Sequence, residues 1–88
     1  MKKILLIEDE KEARYAIKRV LERAGYLVVD VEGPSEVKDF AEFNLVLLDL
    51  KLKDASGIDV LREMREKGIN VPVVVITAYA NAENLISV

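Results

Sequence analysis

Hydrophobic positions along the chain follow two alternating patterns. Lys3–Ile7 carries the apolar run Ile-Leu-Leu-Ile behind one lysine. Such a run predicts a strand buried on both faces. Glu8-Asp9-Glu10 then opens a helix with apolar residues at Ala13, Ala16, Ile17, Val20, Leu21 and Ala24. That spacing is the stripe of an amphipathic helix. Lys11, Arg14, Lys18, Arg19 and Arg23 form its polar face, and Gly25 stops it. Tyr26–Val31 predicts a second strand. Gly33-Pro34-Ser35 breaks it and starts a short second helix, with Ser35 as N-cap and Val37, Phe40 and Ala41 facing inward. Leu45–Leu48 is a third apolar strand ending at Asp49, followed by a polar loop, Lys51–Ser56. Ser56 caps a third helix with Ile58, Val60, Leu61 and Met64 as apolar positions, and Gly68 ends it. Val71–Ile76 reads as a fourth strand, with Pro72 near its start, where proline is tolerated. Thr77-Ala78-Tyr79-Ala80 leaves this strand, and Asn81–Val88 begins a further helix.

The predicted order is βαβαβαβ plus a helix stub. Alternation of this kind builds a doubly wound parallel α/β sheet with right-handed crossovers. Eighty-eight residues allow a single domain, 1–88, and no internal repeat or linker interrupts it.

Composition narrows the chemistry. There is no cysteine and no histidine, which excludes disulfides, thiolate catalysis, imidazole acid–base work and zinc sites built on those ligands. Carboxylates, hydroxyls, amines and the backbone remain. A net charge of −3 argues against direct nucleic-acid binding, which leaves a basic footprint. Apolar runs such as Val73–Ile76 are far too short to span a membrane, and Ile4–Ile7 is too short for a signal peptide. A soluble, cytoplasmic protein is the expectation.

Three carboxylates fall at strand C-termini: Glu8 and Asp9 after the first strand, Asp49 after the third. Ligands of doubly wound sheets bind at that edge, where strand order reverses. If the first strand lies beside the third, the three acids converge. Their repulsion would couple their protonation, and a hard divalent cation such as Mg²⁺ would relieve it. Each acid alone has a plainer reading: Asp9 as an N-cap, Glu8 and Glu10 as partners of the helix dipole. Thr77 ends the fourth strand, where its hydroxyl could donate to a phosphoryl oxygen or simply close a strand.

Together these segments resemble the receiver domain of two-component response regulators, which has a flavodoxin-like fold. The matching motifs are Ile-Leu-Leu-Ile-Glu-Asp-Glu at 4–10, Leu-Val-Leu-Leu-Asp-Leu at 45–50, Gly-Ile-Asp-Val-Leu at 57–61 and Val-Pro-Val-Val-Val-Ile-Thr-Ala at 71–78. The resemblance implies that Asp49 is the phosphoacceptor, taking a phosphoryl group from a sensor histidine kinase, a phosphotransfer protein or a small phosphodonor. It implies that Asp9 and Glu8 hold Mg²⁺ with Asp49 and the main-chain carbonyl of Lys51. Thr77 matches the switch hydroxyl, and Ala78 the small residue beside the phosphoryl group. The basic face of the first helix matches the surface that docks the kinase. Such a module is a signalling acceptor, not a turnover enzyme.

The sequence also departs from the family. A complete receiver has a fifth strand and helix, with a phosphate-binding lysine and an aromatic switch residue on that strand. The last lysine here is Lys67, and Tyr79 is misplaced for the aromatic role. Lys53 stands where the family usually has proline. The expectation is therefore a partial receiver, truncated after strand four and derived from a longer regulator. Strand four would then form an apolar edge that invites self-association through itself or through 81–88. An alternative function follows: an interaction module that dimerises without being phosphorylated. A flavodoxin-like ligand binder or Mg²⁺ phosphohydrolase is disfavoured, because Glu-Asp-Glu replaces a glycine-rich loop after strand one. Lys51 also occupies the place of a second, general-acid aspartate.

Overall fold

The computed structural model describes residues 2–50, 52 and 56–76. Within them the order is β1 (Lys3–Ile7), α1 (Lys11–Arg23), β2 (Leu27–Val31), β3 (Leu45–Asp49), α2 (Gly57–Glu66) and β4 (Val73–Ile76). The strands form one parallel sheet in the order β2-β1-β3-β4. The chain moves outward from β1 to β2, then crosses back to β3 on the other side of β1. Strand order therefore reverses between β1 and β3.

The uninterrupted apolar run of β1 has the expected cause. Leu5, Leu6 and Ile7 are fully buried, because both sheet faces are covered there. Leu5, Ile7, Val46 and Leu48 pack on one face with Val60 and Met64 of α2, Phe43 and Val71. Ile4, Leu45 and Leu47 face the other way, where they line a groove with Leu21 of α1. The helices thus lie on opposite faces, as in flavodoxin-like folds. Gly25 and Gly68 follow the two helices with φ of 97° and 78°, the left-handed conformation in which glycine ends helices cheaply. Ser56 caps α2 as predicted, its Oγ accepting from the Ile58 N–H at 3.2 Å.

Five expectations are corrected. The second helix is absent: two single turns of 3-10 helix, Pro34–Glu36 and Phe40–Glu42, join β2 to β3. Val37 between them is extended, and local carboxylates hold each turn instead of a helical ladder. Glu36 accepts from the N–H groups of Glu32 and Gly33 at 2.9 and 3.2 Å, and Asp39 accepts from the Ala41 N–H at 2.9 Å. Gly33, not Ser35, takes the capping position. On α1, only the row Ala13, Ile17 and Leu21 turns towards the sheet; the adjacent row Ala16, Val20 and Ala24 is exposed, Val20 by 66%. Arg14, placed by its pattern on the polar face, is 8% exposed. The ends also shift: Tyr26 precedes β2, and Val71 and Pro72 precede β4. No described helix is long and apolar enough to cross a membrane.

Candidate metal and phosphoacceptor site

The topology brings two chain segments to one place. β1 and β3 are adjacent, with Ile7 opposite Leu48, so Glu8, Asp9 and Asp49 leave the sheet side by side at its C-terminal edge. One carboxylate oxygen from each lies within 4.8 Å of the other two. The site sits where strand order reverses, the place where ligands of such sheets bind.

Local structure separates the possible roles of the acids. α1 starts at Lys11 with Glu10 in the capping position, and no side chain caps it. Asp9 is therefore not the N-cap and is directed into the cluster. Glu8 and Asp49 are 2% and 5% exposed. Burial pushes the Glu8 carboxyl up to about 8; its hydrogen bond with Asp49 and the charges of Asp49, Asp9 and Glu10 act in the same direction. A proton retained on Glu8 relieves the repulsion among the three acids.

A second group stands behind the first. Arg14 Nη1 donates to the main-chain oxygen of Glu8 at 3.1 Å, and Nε donates to Asp30 Oδ2 at 3.0 Å. Lys18 Nζ donates to the other oxygen of Asp30, also at 3.0 Å. Burial works against ionisation of Asp30, but the hydrogen bonds from Lys18 and Arg14 outweigh it and hold this carboxyl below its ordinary range. Sequence reasoning missed this group. The signal was a single acid in the apolar strand Leu-Val-Val-Asp-Val, facing two cations four residues apart. Gly57 was also missed in its role: it packs against the Asp49 carbonyl, where a Cβ would collide. Lys51, Thr77 and Ala78 lie outside the described residues, as does the segment 81–88. A cavity of about 520 Å³ between the β2–β3 connection and α2, lined by Val37, Phe40, Val60 and Met64 among others, does not include Glu8, Asp9 or Asp49.

Three clustered acids on a doubly wound sheet, with no glycine-rich loop beside them, describe a cation-dependent acceptor more closely than a nucleotide binder. The family model for the response regulator receiver domain matches residues 4–88, and the chain belongs to that family. It is 34% identical over 84 residues to the cell cycle transcriptional regulator CtrA of Caulobacter vibrioides, covering 92% of this chain and 36% of CtrA. The chain spans a little over a third of the length of the curated relatives it matches. Among solved structures it resembles the MaeR response regulator bound to beryllium trifluoride, with 34% identity and a TM-score of 0.79 over 99% of this chain and 75% of MaeR. TrrA of Thermotoga maritima in complex with Mg²⁺-BeF is 32% identical with a TM-score of 0.80, over 91% of this chain and 72% of TrrA. TrrA has also been solved in complex with the histidine kinase ThkA.

Proposed function

We propose that this chain is a phosphorelay receiver that accepts a phosphoryl group on Asp49 in a Mg²⁺-dependent reaction. The convergence of Glu8, Asp9 and Asp49 within 4.8 Å carries the reading. Oxygen-only ligands of this charge suit a hard divalent ion. The Mg²⁺-BeF complex of TrrA supports Mg²⁺ in particular. Glu8, Asp9 and Asp49 would hold the ion. When bound, the ion offsets charge between Asp49 and the incoming phosphoryl group.

A carboxylate oxygen of Asp49 attacks phosphorus. The donor's bond to phosphorus breaks, its electron pair leaves with the imidazole or acetate, and an acyl phosphate remains. The main-chain carbonyl of Lys51, the Thr77 hydroxyl and the small Ala78 complete the site by resemblance to the family. The donor partner is a sensor histidine kinase or phosphotransfer protein, a reading supported by the ThkA–TrrA pair. The chain works in the cytoplasm as an acceptor that switches a partner, not as a turnover enzyme, and makes no direct contact with nucleic acid.

Incubation with Mg²⁺ and acetyl phosphate, read by intact mass, tests this. One added phosphoryl group is expected, absent without Mg²⁺ and absent in Asp49→Asn. No mass gain under any condition overturns the reading.

A second reading, self-association as an interaction module, draws on β4. Among the described residues β4 pairs only with β3, and Val74 is 48% exposed in the run Val-Val-Val-Ile. An apolar β-branched edge of this kind favours pairing with a second copy.

A further inference from the structure

Arg14 is buried against the loop that carries two of the three acids. Its guanidinium reaches back from the first turns of α1 to the carbonyl oxygen of Glu8. The N–H of Glu8 donates to the Val31 carbonyl at 3.0 Å. Glu8 is thus gripped at both backbone polar groups. One grip is β2 itself; the other is Arg14, whose Nε is fixed to β2 through Asp30. Lys18 secures the second oxygen of Asp30.

This arrangement matters because Glu8 is where the chain leaves the sheet. The pairing of β1 with β2 reaches as far as the Glu8 N–H, and the carbonyl of Glu8 belongs to the peptide unit that leads into Asp9. Rotation of that unit would swing both side chains relative to Asp49. We infer that Arg14 is a positioning residue for the acceptor site: through the Glu8 carbonyl it fixes the turn that aims Glu8 and Asp9 at Asp49, with Asp30 as its anchor. This rests on the reading of the three acids as a Mg²⁺ site. Outer groups that orient metal ligands commonly change affinity by about 10–100-fold when removed.

A purely structural role, pinning α1 to β2, makes a different prediction. Lysine at position 14 can keep a single charge contact with Asp30 but lacks the planar fork that reaches Asp30 and the Glu8 carbonyl together. Mg²⁺ affinity is measured by titration calorimetry for the parent chain, Arg14→Lys, Arg14→Met and Asp30→Asn, with urea denaturation of each alongside. Affinity is expected to fall about tenfold in Arg14→Lys and Arg14→Met. The loss in Arg14→Lys should exceed anything its change in folded fraction accounts for, and Asp30→Asn should fall between it and the parent. Exchange of the Glu8 and Asp9 amide protons, followed without metal, should quicken in Arg14→Lys relative to the β3 amides. A folded Arg14→Lys that binds Mg²⁺ within twofold of the parent and keeps its amide protection overturns the inference. If Arg14→Met does not fold, Arg14→Lys and Asp30→Asn still decide it. A parent chain that binds no Mg²⁺ overturns the underlying reading of the acids instead, and the inference with it.

Discussion

The α-carbon of Gly57 sits against the main-chain carbonyl of Asp49, in space that no side chain can share. The Gly57 N–H also donates to the Leu50 carbonyl at 2.9 Å, tying the start of α2 to the residue that follows β3. Gly57→Ala would push the first turn of α2 away from Asp49. Overpacking of this kind costs about 1–3 kcal/mol. Urea denaturation should show that loss. Acetyl phosphate labelling should slow as well, because the displaced backbone carries Asp49, the proposed acceptor.

The Glu8 carboxyl, pushed up from 4.5 to about 8, predicts the pH dependence of metal binding. Between those values the folded, metal-free chain keeps a proton that the unfolded chain has lost. Stability without metal should therefore fall as pH rises across this window. Mg²⁺ requires ionised carboxylates, so its binding should release a proton and strengthen as pH climbs through about 8. Calorimetry in two buffers of different ionisation enthalpy reads the proton release directly. In Glu8→Gln the release attributable to this group should vanish.

Asp30 acts at the opposite end of the pH scale. Its carboxyl is held below 3.8, so its contribution is present above that value and lost as pH falls through the lower folded value. Asp30→Asn should cost about 2 kcal/mol at neutral pH. That is less than the roughly 3–5 kcal/mol for a fully buried pair, because the Asp30 side chain is 19% exposed and Lys18 33%. The gap between parent and variant should narrow in acid. A gap that stays constant down to acid pH would show that the carboxylate's charge is not the source.

The pairing of β4 with β3 alone among the described strands, with Val74 exposed, predicts association. Light scattering at micromolar concentration should give a mass above that of the monomer, and Val74→Lys should lower it, since lysine on an edge strand discourages pairing. A sharp monomer mass for the parent would remove the self-association reading and leave phosphoryl acceptance untouched.

Most of the strands are legible in the sequence because unbroken apolar runs mark β1 and β3, whereas the adjacency that gathers the acids comes from the family resemblance, since alternating units can also be wound with β2 between them. The second connection is not legible in the same way. Val37, Phe40 and Ala41 have a loosely helical spacing, but about a turn and a half of helix gains few ladder hydrogen bonds for the residues it fixes. Side-chain acceptors at Glu36 and Asp39 capture the backbone first. Arg14 was misplaced because a helical wheel counts charge as outward. It does not register that Asp30, on a neighbouring strand, demands a cation in the interior. Gly57 gave no warning, since a glycine that opens a helix reads the same whether it closes a loop or makes room for a carbonyl.

β1 precedes the other described strands in the chain, yet it occupies the interior of the sheet, flanked by β2 and β3. Both of its backbone edges therefore stay open while α1 and the later strands are still being made. Leu5, Leu6 and Ile7, which end with no exposure at all, must wait in water or on a chaperone for partners distant in sequence. Strand order is thus also a timetable of assembly: β2 can close one side, β3 the other, and only then does the acceptor edge exist. Lesions in β1 should accordingly reduce the yield of mature protein in cells more than the performance of the molecules that complete folding.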